Sequence, residues 1–348
     1  MANDRQKKVA ILSIDGGGIR GIIPGTILNY LERQLQIMSK NPDTKLSDFF
    51  DFVSGTSTGG ILACLYLFPD GESKRPKHSA EEALDLYLKN GSGIFHTNGW
   101  EALARLDGFV KEKYSAKRLE NLLAEYFQDT KLSQLVKPCL ITAYEITSRK
   151  AHFFRSVTTG NVGDFLVRDV ARATSAAPTY FKPALIKSMN DQEFTLIDGG
   201  VFANNPALCA FADARKTKFH KSDKKDYPNV EDMIIVSVGT GTIKQPYHYQ
   251  DFRNAGELKW LGPIIDILMS GNAETVHYQL SKMFDSLHED DQKDYHRLEP
   301  HLNNASAEMD NVTNKNTYEL QQAGLKYIEE NEELLRIIAQ KLVKNAPE

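Results

Sequence analysis

The sequence is poor in cysteine and tryptophan, has no long apolar run, and shows no marked excess of charge of either sign. Its three cysteines, Cys64, Cys139 and Cys209, stand far apart in apolar segments. An odd, scattered set builds neither a disulfide framework nor a metal site, so buried free thiols in a reducing compartment are expected. The longest apolar stretches, such as Ile61–Phe68, fall far short of the roughly 20 residues that a membrane-spanning helix needs. The N-terminus is polar and runs straight into Val9-Ala-Ile-Leu12; without an apolar h-region no secretory leader is expected, and the cytoplasm is the expected location. Lysine and arginine number 42 against 46 acidic side chains, a net charge of −4. That is no footprint for a nucleic-acid polymer or an anionic membrane surface. No spacing suggests a metal or another cofactor, and none is expected.

What is present resembles an ordinary globular chain of 348 residues, 41 % hydrophobic and 25 % charged. Short apolar runs predict strands at Val9–Ile14, Phe49–Val53, Cys139–Ile146, His152–Phe154, Phe194–Ile197 and Met233–Val238. Helical spacing predicts helices at Pro24–Met38, Thr58–Phe68, Ala80–Lys89, Ala116–Tyr126, Asp164–Thr174 and Pro206–Arg215. From Gly256 onward the chain reads as entirely helical, closing with Asn316–Val343. Strands alternating with helices predict an α/β layer fold with a mainly parallel sheet. No repeat and no Pro/Gly/Ser-rich linker divides the chain, so one domain is expected over residues 1–348, with a core over about 8–240 and a helical portion over about 256–345. The basic loop from Arg215 to Lys225 reads as solvated surface.

Three motifs carry chemistry. Gly55-Thr-Ser57-Thr-Gly59 fits Gly-x-Ser-x-Gly between a strand and a helix, the setting of a nucleophile elbow. Small neighbours there relieve a strained turn, and the following helix aims its N–H groups at developing negative charge. The alternative is a plain turn and helix cap. Asp15-Gly-Gly-Gly-Ile-Arg20-Gly21 also lies between a strand and a helix. Gly16-x-Gly18-x-x-Gly21 matches a dinucleotide fingerprint, but Asp15 would repel a pyrophosphate and no acidic residue ends the next strand. An oxyanion loop fits better, because glycines let backbone N–H groups turn toward one point, with Arg20 adding charge or bracing the loop.

The serine needs a proton acceptor. His220, His248, His277, His288, His296 and His301 all lie in undistinguished polar or helical settings. Phe194-Thr-Leu-Ile-Asp198-Gly-Gly200 instead delivers a carboxylate at the end of a short strand. Either Asp-Gly-Gly is merely a turn, or Asp198 touches the serine directly and forms a Ser–Asp dyad without histidine. A carboxylate with an ordinary pKa near 4 is a weak base for a hydroxyl, so a dyad requires desolvation and strong oxyanion stabilisation.

With these residues assembled, the chain resembles the patatin-like phospholipases. The resemblance lies in Asp15–Pro24, Gly55–Gly60 and Asp198–Gly200, and extends to Ala173–Phe181, Ser237–Thr242, Lys259–Pro263 and Glu308-Met-Asp310. It implies a three-layer α/β/α fold that cleaves fatty-acyl esters of phospholipids, lysophospholipids or other lipids, in transient contact with a membrane. By the same resemblance Ser57 is the nucleophile and Asp198 the general base, and Gly16, Gly17 and Gly18 form the oxyanion loop with Arg20 as its basic companion. Gly21, Gly55, Gly59, Gly199 and Gly200 are motif glycines. An acyl channel is expected with its mouth at Gly91–Trp100 and Pro263–Met269. Three other readings stand beside this one: an anti-phage effector switched on by a cyclic nucleotide, with a homodimer or larger assembly; a non-catalytic storage or binding protein; and a histidine triad.

Overall fold

The computed structural model describes residues 7–94, 114–157, 163–219, 225–242 and 246–346. The strands are β1 (Val9–Ile14), β2 (Phe52–Thr56), β3 (Cys139–Glu145), β4 (Lys150–Arg155), β5 (Ala184–Lys187), β6 (Glu193–Asp198), β7 (Met233–Val238) and β8 (Tyr295–Leu298). The helices longer than one turn are α1 (Ile22–Ser39), α2 (Thr58–Leu67), α3 (Ala80–Ile94), α4 (Lys117–Phe127), α5 (Val167–Thr174), α6 (Ala207–Ala214), α7 (Glu257–Asp285), α8 (Asn314–Glu330) and α9 (Glu332–Asn345). The sheet runs β5-β6-β3-β2-β1-β7-β8, with β4 also on β3. β8, β7, β1, β2 and β3 are mutually parallel.

The central strands are buried on both faces, as their nearly unbroken apolar runs require. Along β1, Ala10, Leu12 and Ile14 point into a core shared with α1, α2, α8 and α9. Val9 and Ile11 point the other way, onto Ala210 and Phe211 of α6 and Val276, Leu280 and Phe284 of α7. Period-two alternation in one strand thus feeds two cores, which gives the α/β/α layering. No described helix is long and apolar enough to cross a membrane.

One register relation positions everything that follows. β4 pairs with β3 along Leu140–Glu145 and so occupies one edge of it. The other edge is shared: β2 takes Cys139–Thr142, ending Thr56 opposite Thr142. β6 takes over at the next residue, Asp198 opposite Ala143. The residue after β2 and the last residue of β6 therefore arrive at one step of β3.

The structure corrects several expectations. The segment beyond Gly256 is not entirely helical, because β8 adds in parallel to β7, Ile235 opposite Tyr295 through Val238 opposite Leu298. Its four residues include His296 and Arg297, so it lacks an apolar signature. β2 begins at Phe52 rather than Phe49, since Leu46–Asp48 forms a one-turn helix and the Asp51 carboxylate accepts the Ala10 N–H at 2.9 Å. β2 also runs into the serine motif as far as Thr56. The closing helix is two, divided at Asn331, whose side-chain amide donates to the Tyr327 carbonyl at 2.9 Å. β5 had no distinguishing pattern. Within the basic loop, residues 220–224 lie outside the described residues.

Arg297 explains why so polar a strand as β8 is tolerated. Its guanidinium grips Asp15, at the end of β1, through two bonds of 3.0 and 2.6 Å, and also reaches Ser237 and Glu299. Burial opposes the charge on Arg297, but Asp15 and Glu299 outweigh it and hold the group above the ordinary guanidinium range. Removing one partner from such a pair leaves a buried charge unmatched, at about 3–5 kcal/mol. Arg297→Met is therefore expected to lower unfolding free energy by roughly that amount, with Asp15→Asn added to it restoring much of the loss. Urea denaturation checks this; a single variant as stable as wild type would show the pair does not anchor the strand end.

Candidate active site

Ser57 stands between β2 and α2 with φ 54° and ψ −123°. A non-glycine residue held there costs on the order of 1–3 kcal/mol and persists only where its surroundings enforce it. Here they do. The Ser57 N–H donates to Thr174 Oγ1 at 2.8 Å, and that hydroxyl donates to the Thr142 carbonyl at 2.7 Å. The Tyr87 hydroxyl donates to the Thr58 carbonyl at 2.9 Å. The flanking glycines serve close approach: a Cβ at Gly55 would lie 2.2 Å from the Gly59 carbonyl oxygen, and one at Gly59 would lie 2.2 Å from that of Ile14.

Asp198 ends β6 and enters a one-turn helix, Gly200–Ala203. Its Oδ1 accepts the Gly200 N–H at 2.7 Å. Burial pushes the carboxyl up to about 6, against the hydrogen bonds of Ser57 and the Gly200 N–H, which favour the charged form. Ser57 and Asp198 line one and the same cleft. Its other walls are mostly apolar, among them Ile61, Leu119, Phe181, Ile265, Leu268 and Met309. The two motifs are also tied behind the cleft, where Thr56 Oγ1 donates to the Ala203 carbonyl at 2.6 Å and pairs with Thr142 at 2.7 Å.

The glycine loop borders the same cleft through Gly18. It is pinned on three sides. The Gly16 N–H donates to the Asn204 carbonyl at 3.2 Å, Thr240 Oγ1 donates to the Gly16 carbonyl at 2.7 Å, and the Ile19 N–H donates to the Met309 carbonyl at 2.8 Å. Gly18 has φ 60°, and a Cβ on it would lie 2.3 Å from the Met309 oxygen. Among the described residues, the N–H groups of Gly17 and Gly18 have no protein acceptor. The three glycines expected to act alike are thus unequal: Gly16 is engaged in holding the loop, and Gly17 and Gly18 keep free donors. Arg20 does not line the cleft. Its Nε donates to the Gly17 carbonyl at 3.4 Å, and the side chain borders a separate polar cavity with Asp15, Asp266 and Glu299. It braces the loop.

Gly21 and Gly199 likewise stand where another atom comes close: a Cβ would lie 2.2 Å from Thr58 Oγ1 and 2.1 Å from Thr142 Oγ1, respectively. Asn272 of α7 was invisible as a motif. Its Oδ1 accepts the Asn204 N–H at 2.9 Å, and its amide donates to the Phe202 carbonyl. Its setting, Ser270-Gly-Asn-Ala-Glu274, carries no signal that singles it out. The described histidines stand elsewhere: His248 and His288 are exposed, His277 meets Tyr295 Oη at 3.1 Å, and His301 meets Thr242 at 3.0 Å. His296 is buried in β8, and that burial lowers its pKa to about 4. None of these lines the cleft; His220 lies outside the described residues. Of the two expected channel segments, Pro263–Met269 lends Ile265, Leu268 and Met269 to the cleft wall, while residues 95–100 of the other lie outside the described residues. Among the described residues, no cluster of three or more His, Cys, Asp and Glu side chains is arranged to hold a metal ion.

The raised Asp198 pKa has a consequence for stability. A carboxyl near 3.8 when unfolded and about 6 when folded binds its proton more tightly in the fold. Stability therefore falls as pH rises from about 4 through 6, by at most about 3 kcal/mol. Asp198→Asn removes that penalty and keeps an acceptor for Gly200. It is expected to melt above wild type at pH 7.5 and level with it at pH 4, as thermal denaturation at the two values will read. A variant less stable than wild type at both would show that the buried charge carries no such penalty.

A family model described as patatin-like phospholipase matches residues 12–211. Patatin-like protein 2 from Oryza sativa subsp. indica is 33 % identical, over 94 % of this chain and 85 % of its own length. Patatin-like protein 1 from Arabidopsis thaliana is 34 % identical, over 92 % of this chain and 81 % of its own. A Solanum tuberosum relative named probable inactive patatin-3-Kuras 1 is 33 % identical, over 91 % and 85 %. The matched region carries the serine turn, the glycine loop and the Asp198 turn alike, and the chain belongs to the patatin-like phospholipase family.

Proposed function

We propose that the protein is a serine acyl hydrolase that cleaves fatty-acyl esters of phospholipids or lysophospholipids with a Ser57–Asp198 dyad. Family membership supports lipid acyl hydrolysis. The observation that carries the finer reading is the meeting of Ser57, a buried carboxylate and Gly18 of the glycine loop at one apolar cleft.

In this reading the acyl chain occupies the apolar cleft and presents its ester carbonyl to Ser57. Asp198 accepts the hydroxyl proton as Oγ bonds to the carbonyl carbon. Negative charge collects on the former carbonyl oxygen and is met by the Gly17 and Gly18 N–H groups; a donor of this kind is typically worth about 2.7–4 kcal/mol. As the intermediate collapses, the carbon–oxygen bond to the alcohol breaks and the proton on Asp198 passes to that alcohol. Water then attacks the acyl-serine, again giving its proton to Asp198. The fatty acid leaves, and the proton returns to Ser57. The pKa near 6 suits this work better than an ordinary carboxylate would, because a base is most effective when its pKa lies near the working pH.

A non-catalytic reading has one point in its favour, the name of the potato relative. Against it stands the placement of Ser57 beside the buried Asp198 carboxyl in one apolar cleft.

The test is hydrolysis of a p-nitrophenyl ester series and of phosphatidylcholine. Ser57→Ala is expected to lose on the order of 10⁶ in kcat, and Asp198→Asn at least about 10⁴. For wild type, kcat/KM should climb about tenfold per pH unit below 6 and level off above it, because only ionised Asp198 accepts the proton. A folded wild type inert toward every ester, or a Ser57→Ala variant within tenfold of it, would sink the proposal.

A further inference from the structure

The first half of α7 presents two apolar faces, and the cleft accounts for only one. Ile265 and Met269, one turn apart, face Ser57 and Asp198. Trp260, Ile264, Ile267 and Leu268 follow the i, i+4, i+7, i+8 spacing of a single stripe. They remain 38 %, 48 %, 42 % and 49 % exposed. The second half of the same helix behaves differently, burying Val276, Leu280 and Phe284 against the sheet. Aromatic rings extend the stripe. Phe252 packs 4.8 Å from Trp260 and 5.3 Å from Tyr247, ring centre to ring centre, and Lys259 Nζ stands 5.4 Å over Phe252. A contiguous apolar patch of this kind marks an interaction site.

We propose that this face of α7 docks on a lipid surface and feeds acyl chains from it into the cleft, an inference that rests on the acyl-hydrolase reading. Continuity is the first argument for lipid as the occupant. Leu268 belongs to the exposed stripe and to the cleft wall at once, so a chain leaving a lipid layer at this face reaches the cleft over apolar side chains. A second protein copy seated there would cover that entrance. Charge is the second argument. Between Tyr247 and Ser270 the chain carries Asp251, Glu257 and Asp266 against Arg253 and Lys259, three negative and two positive groups. This near-balance complements a zwitterionic lipid surface; capture by an anionic one relies on clustered lysines and arginines. Tryptophan beside tyrosine and phenylalanine suits the boundary, where one side of a ring is apolar and its polar edge stays wet.

The experiment uses the full chain in a Trp100→Phe background, which leaves Trp260 as the single indole reporter. Phosphatidylcholine vesicles are expected to shift its emission to the blue and to carry the protein down on sedimentation, with little response to salt or to added phosphatidylserine. Ile264→Asp with Ile267→Asp should weaken vesicle affinity about tenfold or more and reduce vesicle-lipid hydrolysis in step. The same variant should keep turnover of monomeric p-nitrophenyl butyrate within about twofold, which certifies its fold. Ile264→Leu with Ile267→Leu should bind as wild type does. The proposal is overturned by a double aspartate variant that binds vesicles undiminished, or by wild-type binding that needs anionic lipid and vanishes with salt. It is equally overturned by a wild-type dimer that the aspartates dissolve while neither form binds vesicles. Wild type that docks through Trp260 yet hydrolyses no ester upholds the docking face and defeats the hydrolase reading instead.

Discussion

The arrangement depends on how one edge of β3 is divided. β2 ends opposite Thr142 and β6 ends opposite Ala143, so two segments more than a hundred residues apart in sequence are delivered to adjacent rungs. Backbone hydrogen bonding enforces this placement, and it is insensitive to most side-chain changes. What remains for side chains is short-range: Thr142, Thr174 and Thr56 clamp the serine turn to the turn after Asp198. Small hydroxyl residues suit this joint because they satisfy carbonyls without occupying the cleft.

Electrostatically the site is divided by the glycine loop. On one side, Asp198 lies among apolar walls where, among the described residues, Ser57 and a backbone N–H support its charge, and its pKa rises. On the other, Arg297 bonds both Asp15 and Glu299 near Arg20, although burial still raises the Asp15 pKa to about 6 and lowers that of Arg20. These groups fix the start of the loop, while Met309 and Asn204 hold its middle. Hydrogen bonds thus hold the loop, while Asp198 faces a mostly apolar cleft.

Much of this was legible in the residues. Apolar runs located β1, β3 and β7, and the three glycine-rich motifs named the side chains that meet at the cleft. The misses share a physical cause. β8 is held by an ion pair and an edge position, so its Tyr-His-Arg-Leu composition carries no strand pattern. Gly16 and Gly18 look identical in sequence, and only the approach of Asn204 to one and Met309 to the other separates their roles. Arg20 could be read as a charge for the site or as a brace; its direction, toward the polar cavity, is a tertiary fact.

Asn272 shows how information can be stored away from any motif. Both of its bonds end on main-chain atoms, the N–H of Asn204 and the carbonyl of Phe202. Every residue type except proline offers the first group, and every type offers the second. The side chains at 202 and 204 are therefore free to drift without loosening this joint, whereas position 272 tolerates little: aspartate loses the donor, and glutamine overshoots by a methylene. A library randomised over the turn and one randomised over the helix would return opposite tolerances for the two ends of the same contact.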